Sequence, residues 1–210
     1  MSRSFARIAF TPLVQQQQRK HGSRAQYERV EKTSSAGDAL GEYETAFIAA
    51  RDSFYLATVS ETGWPYMQHR GGQAGFLHVL DDHTLAFAEY RGNRQYVSRG
   101  NLDHEDRVAL FLMDYPSRTR LKILGHATAY EGEAAKPYLE QIVTPGDQKI
   151  AEGVIVIRVA AFDWNCPKYI TPRYTEEQVV KVVAPLRQRL SDLEEENKRL
   201  REQLTETVKP

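Results

Sequence analysis

The chain predicts a mainly β, α+β protein: a six-stranded antiparallel β-barrel, closed or nearly closed, with flanking helices and a C-terminal coiled-coil helix. Three observations carry this. Between residues 53 and 162, short β-branched and aromatic runs are joined mainly by tight turns, which favours antiparallel neighbours over a βαβ layout. A helical pattern enters early, at 39–51. From Thr175 the composition changes to leucines spaced four and three residues apart. The predicted divisions are an N-terminal arm with short helices at 1–38, the barrel at 39–174 and the C-terminal helix at 175–210.

The arm is polar, with QQQQ at 15–18. Two short helices are expected near 12–20 and 25–32, against the alternative of a flexible arm. At 39–51, Leu40, Tyr43, Phe47 and Ile48 make one helical face, and Glu42 and Glu44 lie toward its start, where the helix dipole favours them. Strands follow at 53–60 and 65–70 around the turn Glu61-Thr62-Gly63. A second hairpin takes 75–80 and 84–90 around Asp81-Asp82-His83. Residues 107–113, RVALFLM, read as a buried central strand. Strands at 120–130 and 153–162 flank a helix at 133–142.

In the tail, Thr175 and Gln178 form a capping box. Pro185 is expected to kink or restart the helix. Leu186, Leu190, Leu193, Asn197, Leu200 and Leu204 then form a heptad seam, with leucine at d and Leu-Asn-Leu at a. An amphipathic helix packed on its own barrel is the alternative, although its stripe would be wider.

Composition narrows the function. The 210 residues carry 28 basic and 28 acidic side chains, which gives no electrostatic case for nucleic acid or an anionic membrane. No apolar run approaches a membrane span, and the first twenty residues lack the apolar core of a secretory signal. The single cysteine, Cys166, excludes an intrachain disulfide. The histidines show no metal-ligand spacing, so no metal is expected. Together these point to a cytoplasmic protein.

One stretch, 64–101, concentrates the chemistry. The strand 84–90 is broken by Arg91-Gly92, and Asn93 then reads as the N-cap of a helical turn through Arg94, Gln95 and Ser98. A strand feeding a helix N-terminus presents backbone N–H groups to an anion. Arg94 adds a planar donor fork, Arg70 closes the neighbouring strand, and Gly71-Gly72 permit close approach to the backbone. Two readings stand: a phosphate cradle made by Arg70, Asn93, Arg94 and Gln95, or a surface turn with solvated arginines.

The runs GWPYMQHRGG, LAFAEYRGNRQYVSRGNL and RVALFLMDYPSRTRLKILGHA resemble the pyridoxamine 5′-phosphate oxidase-like family of FMN-binding split barrels, and within it the uncharacterised flavin-nucleotide-binding branch. The resemblance covers 5–174 in order. It implies an FMN cofactor, a homodimer and a flavin-dependent oxidoreductase acting on a small molecule. It also implies that Arg70, Arg94 and Gln95 hold the FMN phosphate. The oxidase usually has Arg-Lys where this chain has Arg94-Gln95, so one charge is missing. Gln68, His69 and Gly71 lie on the strand whose backbone is within reach of the flavin ring. His69 has the alternative of a hydrogen-bonded structural histidine.

Ala88 and Glu89 match the positions that run along the flavin, where a glutamate is unusual; it either orients an arginine or points outward. Arg120 matches a polar position against the flavin, with Lys122 on the same face, or both are solvated on the outside. The stretch WNCP…ITPRY is similar to one in the same branch, and Trp164 and Arg173 match by position a Trp and an Arg that reach FMN. Cys166 reads as a buried structural thiol, and Lys168 nearby is the argument for a thiolate. The alternatives in function are a non-catalytic flavin carrier or sensor that docks a partner through its coiled coil, and a deazaflavin-dependent reductase.

Overall fold

A computed structural model describes residues 3–33, 39–144, 150–164 and 167–207. The fold is α+β, built on one antiparallel sheet. Its strands are β1 (Ser53–Val59), β2 (Pro65–Gly71), β3 (His78–Asp81), β4 (Thr84–Tyr90), β5 (Arg107–Asp114), β6 (Thr119–Glu131) and β7 (Ala151–Trp164). They stand in the order β2-β1-β5-β6-β7-β4-β3.

The sheet has seven strands, not the expected six, and it does not close. The seven runs read as strands each become one; β3, expected at 75–80, is the shortest, four residues paired to β4 alone at one edge. β2 is the other edge. The sheet instead curls on itself. Phe54 of β1 packs edge-on against Phe87 of β4, with ring centroids 5.3 Å apart, although these strands stand second and sixth in the order.

Inside the curl lies the main core, where alternate residues converge: Phe54 and Leu56, Leu85 and Phe87, Leu110 and Leu112, Leu121 and Ile123, Ile155 and Ile157. A smaller core on the outer face joins Ala86 and Val154 to Leu139 and Ile142. The strand buried on both faces is therefore β7, flanked by β6 and β4. The expected buried strand, β5, is central but buries mainly Val108, Leu110 and Leu112 on one face.

Helices α1 (Arg3–Ala9), α2 (Pro12–Lys20) and α3 (Arg24–Thr33) form the arm, where two helices were expected. Thr11 caps α2 with Pro12 at its first position, and Phe5 and Ala6 bury α1. α4 (Glu42–Ala49) starts where Glu44 accepts the Gly41 N–H at 3.1 Å. α5 (Val97–His104) follows β4, and α6 (Lys136–Ile142) follows a single 3-10 turn after β6.

The chain divides into two compact units. The first takes the described residues of Met1–Asp114 and Arg118–Ile170, the second those of Tyr115–Ser117 and Thr171–Pro210. The second unit is dominated by α7 (Glu176–Thr207), which opens on the expected box: the Thr175 N–H donates to Gln178 Oε1 at 2.9 Å and the Gln178 N–H to Thr175 Oγ1 at 3.2 Å. Pro185 does not break α7, which stays helical through it. No helix is long and apolar enough to cross a membrane among the described residues. Cys166 lies outside the described residues, so its expected role is not addressed by the fold.

Candidate functional site

The period of two in β2 sends Tyr66, Gln68 and Arg70 to one face and Met67 and His69 to the other. β4 presents Glu89 two residues after Phe87, on the core side. There the Arg70 guanidinium carbon lies 5.5 Å from the Phe87 ring centre, and its terminal nitrogen reaches Glu89 Oε1 at 3.3 Å. Register sets the next layer. Glu89 of β4 and Glu131 of β6 both pair with Gly153 of β7, so the three residues form one row across the sheet.

α5 lies against this row. Its Asn101 amide donates to Thr58 Oγ1 of β1 at 2.9 Å, a buried pair that fixes the helix. Arg99 then reaches both acids: Glu89 at 3.7 Å and Glu131 at 3.2 Å. The Ser98 hydroxyl donates to Gln68 Oε1 at 2.9 Å, which leaves the Gln68 amide NH2 as a donor. The Tyr96 hydroxyl donates to Glu152 at 3.2 Å.

The segment from β4 to α5 departs from expectation. Asn93 does not cap the helix. Its Oδ1 accepts the Gln95 N–H at 3.1 Å in a local turn, and α5 begins only at Val97. Between them, Arg94 and Tyr96 take left-handed φ values of 60° and 51°. This conformation is costly for residues with a Cβ and concentrates at functional sites.

These residues enclose a cavity of about 220 Å³, lined by Gln68, Arg70, Glu89, Asn93, Arg94 and Gln95 of the predicted set, together with Tyr66, Tyr96, Ser98, Arg99, Glu131 and Glu152. Three arginines face three glutamates there. Burial pushes the Glu89 carboxyl above the usual carboxylate range; Arg70 and Arg99 pull it back, and Glu131 adds to the rise. The Nε of Arg70 is buried without a hydrogen-bond partner among the described residues. Arg94 is exposed and pairs with no described residue.

Other predicted residues lie elsewhere. His69 faces outward, edge-on to the Tyr55 ring at 5.6 Å. Gly71 ends β2, where an added Cβ would come 3.1 Å from the His69 ring. Ala88 faces the outer core under α6. Arg120 sits at the start of β6, its guanidinium 5.4 Å from the Phe111 ring. Glu131 is at the opposite end of that strand, roughly 35 Å away along an extended chain. The Trp164 indole N–H donates to Glu44 at 2.8 Å, and its ring packs against Tyr43 and Phe47, both with centroids 4.8 Å away. In the second unit, Arg173 lies over the Tyr115 ring at 4.9 Å. Lys122 is bound to the buried Asp163 at 2.7 Å and is not a solvated partner of Arg120.

The sequence profile described as pyridoxamine 5′-phosphate oxidase matches residues 41–165, more than half of the chain. The chain belongs to the pyridoxamine 5′-phosphate oxidase family. Solved structures similar to this family member include an FMN-binding protein from Syntrophomonas wolfei subsp. wolfei, at 12% identity over 70% of this chain and 97% of that one, with a TM-score of 0.42. Group A Streptococcus HupZ matches at 17% identity over 64% and 98%, with a TM-score of 0.46. A protein related to general stress protein 26 from Clostridium acetobutylicum matches at 11% identity over 59% and 85%, with a TM-score of 0.45. No curated protein matches this chain. The family profile covers β1 to β7 and thus the whole cavity.

Proposed function

We propose that this member of the pyridoxamine 5′-phosphate oxidase family binds FMN by its phosphate in the arginine-lined cavity and serves as a flavin-dependent oxidoreductase of a small molecule. The observation that carries the reading is the buried Nε of Arg70, which has no acceptor among the described residues. An unsatisfied buried donor costs about 1–3 kcal/mol, and a phosphate oxygen is the strongest available remedy. Arg94, held in a left-handed turn at the cavity wall, offers a second guanidinium to the same dianion. The side chains of Gln68 and Gln95 add neutral donors. Tyr66 and Tyr96 supply aromatic faces suited to a planar ring.

The bound flavin would supply the redox chemistry. The chain's own contribution is to anchor and orient it. Glu89 acts as the counter-ion of Arg70 and Arg99, and its burial raises its affinity for a proton. The test is the absorbance spectrum and mass of whatever co-purifies, followed by titration with FMN and with riboflavin. Tight FMN binding with much weaker riboflavin binding supports the reading. Equal affinity for both ligands sinks the phosphate anchor, and a deazaflavin spectrum sinks FMN. Reduction of the bound flavin by NAD(P)H, with and without oxygen, then separates an enzyme from a carrier.

A further inference from the structure

We propose that α7 is one half of a parallel, two-stranded coiled coil whose other half is the α7 of a second copy of this chain. The seam is longer than the leucines alone indicate. Because the helix continues through Pro185, the heptad extends back one further d and a position, to Val179 and Val183. The d positions are then Val179, Leu186, Leu193 and Leu200, and the a positions Val183, Leu190, Asn197 and Leu204. That is nearly four heptads and about 39 Å of helix, within the length at which a sustained a/d pattern specifies a coiled coil.

The position of Pro185 fits this pairing. In the heptad it falls at c, on the side away from the seam. The carbonyl it leaves without an intrahelical donor belongs to Lys181, at f, also on the outer side. A proline at a or d would have placed its ring and its orphaned carbonyl in the contact. The polar pairs within the helix sit outside as well: Lys181 with Glu177 at 2.6 Å, at f and b, and Gln188 with Asp192 at 2.9 Å, at f and c. Meanwhile Leu186, Leu190, Leu193, Leu200 and Leu204 are between 45% and 66% exposed in the single chain. Five leucines in one line, on a stretch from Leu186 to Leu204 whose other residues are all polar or charged, are a surface that needs a cover.

Charge and polarity select the cover. With Arg189 and Glu196 at g and Glu194 and Arg201 at e, a parallel partner sets Arg189 against its Glu194 and Glu196 against its Arg201, both attractive. The same register brings the two Asn197 side chains together, where each amide finds a partner; one asparagine at an a position specifies two strands in register. An unrelated apolar helix would leave Asn197 buried against carbon.

The test uses the full chain in a Cys166→Ser background, oxidised under mild conditions. Leu204→Cys is expected to convert most of the protein to a disulfide-linked dimer, and Ser191→Cys, at the outer b position, to leave it uncrosslinked. Adding Leu193→Asp to Leu204→Cys should abolish the crosslink while the circular dichroism of the sheet persists. If Cys166→Ser impairs folding, the same linkage is read with Cys166 present, by mass spectrometry of the linked tail peptides. Asn197→Leu should shift the sedimenting mass upward as the two-strand preference is lost. Equal crosslinking at 191 and 204, or none at 204, would overturn the proposal. So would a Leu204→Cys chain that crosslinks only when mixed with Leu186→Cys, since that is the antiparallel arrangement.

Discussion

The Arg70 guanidinium and the Glu89 carboxylate meet at 3.3 Å, although β2 and β4 stand first and sixth in the strand order. Both side chains are less than one-fifth exposed. A buried carboxylate with two arginines in reach is still costly to ionise, and the balance is a carboxyl that holds its proton more tightly than usual. Arg70 is therefore matched to a carboxylate whose burial works against its charge.

Arg94→Ala should weaken FMN binding about ten- to a hundredfold, from the loss of a charge-assisted contact of about 1.5–3 kcal/mol. Riboflavin affinity should stay within about twofold. Calorimetric titration of both ligands checks this, and a parallel loss for riboflavin would assign Arg94 to the ring instead of the phosphate.

Glu89→Gln should change the pH dependence of stability. The folded carboxyl takes up its proton at a higher pH than the unfolded one, which titrates near about 4.3. Between those two values the folded state binds more protons, so this group's contribution is complete below the unfolded value and lost as pH rises through the folded one. The melting temperature of the natural chain should thus gain on that of Glu89→Gln as pH falls through the raised folded value toward the unfolded one. Glu105, held down to about 2 by Arg107, acts in the opposite sense in both proteins and cancels in the difference. FMN affinity should also rise more steeply with acid in the natural chain, because protonating Glu89 releases Arg70 and Arg99. Identical pH profiles for the two proteins would remove Glu89 from this role.

Trp164→Phe should lower stability by about 1–2 kcal/mol through loss of the indole bond to Glu44, without weakening FMN binding. Denaturant melts and an FMN titration decide it. A variant of full stability that fails to hold FMN would restore Trp164 to the cofactor, as the family resemblance implies.

Gly153→Ala should be among the most damaging small changes. An added Cβ would come 2.5 Å from the Tyr130 carbonyl oxygen, a backbone atom that cannot yield. The cost of such overpacking is about 1–3 kcal/mol, and it falls at the row that aligns Glu89 with Glu131. A lowered melting temperature together with weaker FMN binding is expected. Unchanged values for both would show that β6 and β7 slide past each other freely.

Much of this was legible in the sequence, and the remainder has physical causes. Alternation along β2 correctly separates Gln68 and Arg70 from His69, because a strand's period is fixed by its backbone. The stretch from β4 to α5 supplied Glu89, Asn93, Arg94 and Gln95. What it could not supply was Glu131 and Glu152, which arrive through the register of β6 and β7, and register is a property of pairs of strands. Tyr66 shares the face of Gln68 and could have been found by counting twos. Arg99 depends on where α5 begins, and Asn93 looked like a cap because asparagine caps helices and makes local turns with the same oxygen. The count of six falls one short of the seven runs read as strands, and Pro185, expected to kink or restart the helix, lies inside a continuous α7, because a long helix can lose one hydrogen bond.

A barrel closed by backbone hydrogen bonds has a fixed girth, set by its strand number and stagger. This sheet has two free edges, and where it curls, side chains bridge the gap. A guest entering between Arg70 and Glu89 displaces those side chains and leaves every rung of the β-ladder intact. A larger guest at this point would thus be met by side chains and by the edge strand β2, which is hydrogen-bonded on one side to β1.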